Sequence, residues 1–144
     1  NNPEINASGS NYIMYAWTAI PGYSAFGTYE GNGNADGPFV YCGFRPALIL
    51  YKNADTAGRN WFGHHNKRGL WEGRYYKSNG GDPSDLRYYI LNHDYGAGTD
   101  IGGDLDFLAN GFKIRTSNND QNNSGDTFVF AAWAENPFKI ARAV

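Results

Sequence analysis

This chain of 144 residues is poor in cysteine, in charge and in long apolar runs, and each shortage excludes a class of protein. A single cysteine, Cys42, excludes an intrachain disulfide and a cysteine-rich metal site. Its apolar neighbours predict a small buried side chain rather than a reactive thiol. No segment approaches the roughly 20 consecutive apolar residues of a membrane-spanning helix, so we expect no membrane insertion. The formal net charge of −2 gives no reason to expect nucleic acid as a partner.

Recognisable catalytic signatures are missing as well. The sequence has no phosphate-binding loop, no dinucleotide fingerprint and no nucleophile elbow. We therefore expect a protein that is not an enzyme and that carries no cofactor.

What the chain has in abundance is glycine, asparagine and aromatic residues. There are 19 glycines and 17 asparagines, and aromatic residues make up 17% of the sequence. Glycine and asparagine are weak helix formers and good turn formers, whereas aromatic residues suit half-buried strands. The composition predicts an all-β fold, an antiparallel β-sandwich of jelly-roll or concanavalin-like type with little or no helix. We expect one module over residues 10–144, preceded by a linker over residues 1–9.

Apolar runs between turn signals predict the strands of this sandwich. The predicted strands are Tyr12–Trp17, Phe39–Cys42, Ala47–Lys52, Leu86–Asn92 and Phe128–Ala134. The dipeptide Asn110-Gly111 lies between alternating runs and predicts a tight hairpin, since both residues tolerate positive φ. The polar stretch from Ser117 to Asp126 is expected to be a solvated loop.

Residues 9–21 and 125–137 repeat one pattern without gaps, at an offset of 116 residues (125 − 9). Each copy has a glycine, two polar residues, an apolar run that ends in Ala-Trp, and a final proline. An offset of this size indicates domain-scale duplication of the kind found in fibres and adhesins, rather than a solenoid repeat. The alternative is chance similarity between two buried strands. We expect the strands Tyr12–Trp17 and Phe128–Ala134 to lie side by side in one sheet. Their apolar faces would lie in the core or in a contact between subunits.

Three blocks of sequence, residues 35–47, 110–116 and 132–138, carry a family resemblance. They read ADGPFVYCGFRPA, NGFKIRT and AWAENPF. In this order they resemble a domain common in tail-fibre and tail-tip proteins of tailed bacteriophages, and the resemblance covers roughly residues 10–140. It implies a non-enzymatic, extracellular part of the virion at a structure that contacts the host. It also implies a homotrimer that assembles with other tail proteins.

The segment from Arg59 to Tyr89 has the composition of a receptor-binding surface. It holds six basic and three acidic residues, a charge of +3, whereas the remaining chain holds six basic and eleven acidic residues, a charge of −5. Aromatic rings can stack on sugar rings, and basic side chains suit an acidic glycan. The predicted contacts to a bacterial surface glycan or outer-membrane protein are Trp61, His64, Lys67, Arg68, Trp71, Arg74, Tyr75 and Tyr76. The alternative is that about half of these rings belong to the core or to a trimer contact.

Metal and catalytic sites are weaker hypotheses. The residues considered are the pairs His64-His65 and His93-Asp94 and the acidic residues Asp100, Asp104 and Asp106. Adjacent histidines on a strand point to opposite faces, so at most one of such a pair could bind a given ion. Asp104 and Asp106 share a strand face about 7 Å apart, a spacing that hydrolysis permits but that is also common on exposed strands. We therefore expect no metal site and no catalytic residue.

Three other functions remain open from the sequence. The chain could be a structural spacer or assembly module of a virion fibre, a carbohydrate-binding module, or a fragment of a polysaccharide depolymerase. Buried rings at Trp61, Trp71 and Tyr75 would favour the spacer, whereas clustered exposed rings would favour adhesion.

Overall fold

The computed structural model describes residues 7–66, 88–90 and 105–138. Within these ranges lie eight strands and one short helix. They are β1 (Ser24–Glu30), β2 (Phe39–Tyr41), β3 (Pro46–Asn53), β4 (Trp61–His65), β5 (Tyr88–Ile90), β6 (Leu105–Leu108), β7 (Gly111–Ile114), α1 (Asn119–Asn122) and β8 (Thr127–Ala134). Every strand pair among them is antiparallel. The predicted strands after residue 38 all overlap an observed strand.

The strands form two sheets. The large sheet has the order β1-β8-β3-β4-β5, and the small sheet has the order β2-β7-β6. In the large sheet β8 is an interior strand, because Trp133 lies opposite Ser24 of β1 on one side and Leu48 of β3 on the other. The prediction of an antiparallel sandwich is confirmed, while its jelly-roll or concanavalin-like topology stays a prediction.

The two sheets meet in a core built mainly from aromatic rings. Alternate residues of β8, including Phe128 and Phe130, are buried, as expected when one face of a strand points inward. Phe112 of the small sheet lies edge-on to Phe130 and to Tyr29 of the large sheet, with ring centroids 5.5 and 6.2 Å apart. Tyr29 in turn stacks on Phe128 at 4.9 Å. Such ring pairs add about 0.5–1.5 kcal/mol each beyond the area they bury, so they hold the sheets in register.

The hairpin between β6 and β7 is confirmed, but the reason for its glycine is different. Its two-residue loop is Ala109-Asn110, and Gly111 is already the first residue of β7, opposite Tyr41 of β2. Phe138 is the one non-glycine residue of the described ranges with positive φ, and Gly111 itself does not have positive φ. A Cβ atom on Gly111 would lie 2.0 Å from the carbonyl oxygen of Val40. The glycine is thus required by the close approach of β2 and not by a positive φ.

The stretch from Ser117 to Asp126, predicted to be a solvated loop, contains α1 instead. Gln121 and Asn122 of this single helical turn are among the most deeply buried residues of the chain. Buried amides need hydrogen-bonding partners, and both have them, so the prediction of a solvated loop is wrong. No helix within the described residues is long and apolar enough to span a membrane.

The apolar run Tyr12–Trp17, here called the N-terminal segment, lies outside both sheets. Its side chains are exposed: Ile13 keeps 83% and Met14 86% of the accessible surface. The prediction of a strand here, adjacent to Phe128–Ala134, is wrong because β1 and β3 already lie on the two sides of β8. The segment reaches the sheet through a tight turn, where an isolated bridge joins Ile20 to Ser24.

Candidate functional site

Of the predicted receptor-binding segment, the structure describes residues 59–66, which include β4, and residues 88–89 of β5. Trp61 is half-buried on this strand, opposite Lys52 of β3. The other predicted contacts apart from His64 lie outside the described residues: Lys67, Arg68, Trp71, Arg74, Tyr75 and Tyr76. Along the chain they fall between β4 and β5, which pair at one edge of the large sheet.

His64 belongs to the core and is a correction to the predicted binding set. Its side chain has no accessible surface, and its ring stacks on Tyr51 with centroids 5.6 Å apart. The Nε2 atom lies 3.1 Å from the Tyr51 hydroxyl. Burial lowers the pKa of His64 to about 3, so the imidazole is neutral at physiological pH. A residue without solvent contact cannot touch a cell-surface receptor.

A buried polar network surrounds this histidine. The Tyr51 hydroxyl also donates to Gln121 Oε1 at 2.5 Å, and the Tyr29 hydroxyl donates to the Gln121 backbone carbonyl at 2.9 Å. Burial raises the pKa of Tyr29, which keeps its hydroxyl protonated as a donor. The network satisfies polar groups of β1, β3, β4 and α1 inside the sandwich. Because these hydrogen bonds join Gln121 of α1 to Tyr29 of β1 and Tyr51 of β3, they hold α1 against the large sheet.

Asp106, the described member of the acidic candidates, forms an ion pair. Asp106 on β6 accepts from Arg115 at 2.6 Å, and Arg115 also reaches Asp36 at 3.1 Å. A hydrogen bond and the charge of Lys113, 3.0 Å away, hold the pKa of Asp36 below its usual value. Asp106 is therefore one member of an alternating line of charges on the surface of the small sheet. The remaining weak candidates, His93, Asp94, Asp100 and Asp104, lie outside the described residues.

A metal site gains no support from the residues whose positions the structure gives. No group of three or more His, Cys, Asp or Glu side chains in those parts of the chain comes close enough together to hold an ion. Isolated exposed carboxylates paired with arginine and lysine give little affinity for a divalent cation, since such sites need several converging oxygen ligands.

The strongest surface feature of the described residues is a line of contacting rings, which we call the aromatic ladder. Tyr15 lies against Trp17 with ring centroids 6.2 Å apart and nearly parallel planes. Trp17 meets Trp133 edge-on at 5.9 Å, and Trp133 meets Phe26 edge-on at 5.7 Å. Trp133 and Phe26 belong to β8 and β1, so rigid strands support the ladder at its base. At its outer end Tyr15 remains 73% exposed.

A second ring pair lies at the same end of the β1–β8 pair. Tyr23 stacks on Phe138 with centroids 5.6 Å apart and planes 8° from parallel. The N–H of Phe138 donates to the carbonyl of Gly22 at 3.2 Å, which fixes the chain after β8 against the turn before β1. Both rings are partly exposed. Flat exposed rings on a rigid support can stack on sugar rings or pack against another protein.

This aromatic surface was not predicted from the sequence, although the repeated stretches contain two of its tryptophans. Trp17 and Trp133 are the matching tryptophans of the two repeated stretches, and each was placed in a strand of its own. Only Trp133 is in a strand, and Trp17 packs against it from outside the sheet.

Comparison with known proteins identifies one family. Residues 1–137 match the family described as a domain of unknown function, DUF7483. No curated protein and no solved structure matches the chain. The matched range contains all eight strands and both repeated stretches. Since the match covers nearly the whole sequence, the chain belongs to the DUF7483 domain family.

Proposed function

We propose that this chain is a non-enzymatic adhesion module of a bacteriophage tail fibre or tail tip, and that it binds a glycan or outer-membrane protein on the bacterial surface. The observation that carries the proposal is that the three blocks resembling tail-fibre domains contact one another. Val40 of the first block lies opposite Phe112 of the second across the β2–β7 pair. Arg45 of the first block forms an ion pair with Glu135 of the third, with Nε and Oε2 2.9 Å apart.

Through these contacts the three blocks form one connected part of the sandwich. The Arg45 guanidinium also donates to the backbone carbonyl of Phe107 at 2.7 Å, so it links the small sheet to the end of β8. Residues that hold two sheets together are the part of a module that a family shares, whereas receptor contacts belong to the surfaces around it.

Recognition is proposed to lie in β4 and in the chain that joins it to β5. The proposed contacts are Trp61, Lys67, Arg68, Trp71, Arg74, Tyr75 and Tyr76, the predicted set without His64. The net positive charge of this segment suits acidic groups of a surface glycan, and its rings suit the apolar faces of sugars. Individual sites of this kind are weak, and a trimeric fibre with other tail proteins would multiply them by avidity.

Binding to purified lipopolysaccharide and capsule arrays, and to intact bacteria, tests the adhesion proposal. The triple variant Lys67→Ala, Arg68→Ala and Arg74→Ala should weaken binding at least about tenfold, because each removes a charge-assisted contact. The matched control Lys113→Ala removes one like charge from β7, in the other sheet, and should leave binding unchanged. Added salt should weaken wild-type binding in parallel. Unchanged binding by the triple variant would refute the assigned surface.

The rival functions give different results in the same experiment. A structural spacer would bind none of the bacterial surfaces but would bind other tail proteins. A depolymerase would release new reducing ends from the glycan on incubation. Either result would replace the adhesion proposal.

A further inference from the structure

The N-terminal segment has the sequence of an interior strand but not the surroundings of one. In the ungapped match of the repeated stretches, Tyr12 corresponds to Phe128 and Met14 to Phe130. Phe128 and Phe130 are buried in the core, whereas Met14 keeps 86% of its surface. A run that is apolar on both alternating faces is typical of a strand that is covered on both sides.

The apolar surface exposed here is large for a single chain. Ile13, Met14, Tyr15 and Trp17 keep 62–86% of their accessible surface. They leave roughly 500 Å² exposed, taking about 150–250 Å² for a full large side chain. This is near the upper end of the patches found on monomers and is more than half of the roughly 800 Å² that each partner buries in a stable interface. The sequence from Ala7 to Pro21 contains no charged residue that would oppose its burial.

The large sheet offers a matching edge at β1. Among the described strands, β1 pairs only with β8. The N–H and C=O groups of Ser24 both bond to Ile20, on the side of β1 away from β8. Because these groups alternate in direction along a strand, those of Phe26 and Thr28 also point to this outer side. Strand β1 itself has no proline, and it carries its one charge at its last residue, Glu30, so its own sequence does not protect the edge against pairing.

We propose that the N-terminal segment of one copy of the chain adds as a further strand to the outer edge of β1 in a second copy. Six residues, Tyr12–Trp17, match the seven residues of β1 in length. Addition of a strand to an open edge gains main-chain hydrogen bonds and buries alternate side chains, as in other strand-addition complexes. The occupant is a second copy because the segment repeats β8, the natural neighbour of β1.

The local geometry directs the segment away from its own β1. Backbone pairing ends at the bridge between Ile20 and Ser24, and the Ser24 hydroxyl donates to the Thr18 carbonyl at 2.9 Å. Trp17 then lies against Trp133 of β8, 5.9 Å away, instead of continuing along the edge of β1. A segment held off its own sheet by a short hinge is the usual starting point for exchange between identical chains.

Sedimentation of the full chain over a range of concentrations tests the acceptor edge. Thr28→Pro removes one outward N–H group and leaves the groups that face β8 in place, so the fold is retained. It should raise the dissociation constant of self-association at least about tenfold, whereas Thr28→Val, which keeps the N–H group, should not. Circular dichroism of both variants verifies the fold. A wild-type chain that is monomeric at all concentrations, or association that survives Thr28→Pro, overturns the proposal.

A second pair of variants tests the donor strand without touching the sandwich. Met14→Asp places a charge on the exposed segment and should abolish association, while Met14→Leu should preserve it. Amide hydrogen exchange should show Phe26 and Thr28 protected at high protein concentration and unprotected on dilution. Protection independent of concentration would mean that the segment closes on its own β1, which also overturns the proposal. None of these measurements depends on host binding, so they stand or fall separately from the adhesion proposal.

Discussion

Replacement of Asn122 by alanine should strongly destabilise the fold, although the residue lies in a stretch that reads as a polar loop. Its side chain is fully buried and joins three parts of the chain. The Nδ2 group donates to the carbonyl oxygens of Asn34 and Thr116, at 2.8 and 2.7 Å, and the Oδ1 atom accepts from the N–H of Asn32 at 2.9 Å. Asn122→Ala removes these three bonds and a fourth, from Nδ2 to Asn32 Oδ1 at 3.0 Å, and leaves the three backbone groups without the amide.

The expected loss follows from the number of these bonds. Each hydrogen bond contributes about 1 kcal/mol net, and a buried group left unsatisfied costs about as much again or more, so the loss should be about 3–5 kcal/mol. For a domain of this size, a loss of 1 kcal/mol lowers the melting temperature by about 3 °C, so Asn122→Ala should melt about 9–15 °C below the wild type.

Urea denaturation and thermal melting of the two proteins measure this loss. Asn119→Ala is the matched control, because Asn119 belongs to the same helical turn but is exposed. It should change the free energy of unfolding by less than about 0.5 kcal/mol. Equal stability of the two variants would refute the conclusion that α1 anchors the sandwich.

Three further predictions concern single positions. Gly111→Ala should lower the free energy of unfolding in urea by about 3 kcal/mol, because its Cβ would lie 2.0 Å from a backbone oxygen of β2. Gly125→Ala should lower it by about 1 kcal/mol, since Gly125 has positive φ but open space around it. Equal losses in the two variants would contradict this reasoning. Burial lowers the pKa of His64 from 6.5 to about 3, so between these pH values the unfolded chain binds one more proton than the folded chain. The free energy of unfolding should therefore rise with pH across this window by up to about 1.4 kcal/mol per pH unit. The slope should be smaller in His64→Gln, and an unchanged slope would show that His64 does not titrate in this way. Burial raises the pKa of Cys42 to about 11, so iodoacetamide at pH 8 should modify it at least about 100-fold more slowly than a free thiol, and rapid modification would contradict its partial burial.

Short-range patterns were sufficient to predict the architecture. The apolar run Phe128–Ala134 identified β8, and the apolar runs before and after Pro46 identified β2 and β3. These predictions are correct because the period of side chains along a strand is a local property. Strand β1 was missed, since its sequence SAFGTYE lies among glycines and polar residues and has only a weak apolar pattern.

The candidate site was less predictable, because burial depends on what the rest of the chain places nearby. Asn122 and Gln121 are polar residues in a polar stretch, and only the positions of the two sheets make them part of the core. His64 lies in a segment with the composition of a binding surface, yet β4 places its ring against Tyr51 inside the sandwich. No local pattern distinguishes such residues from solvated ones.

The repeated stretches show most clearly what each level determines. The sequence alone determined that Tyr12–Trp17 and Phe128–Ala134 are both suited to be covered strands, since their apolar periodicity is the same. Only the tertiary structure decided that the second lies between β1 and β3 while the first remains outside the sheets. The physical reason is that a strand is completed by hydrogen bonds to its neighbours, and one position between β1 and β3 can hold only one strand.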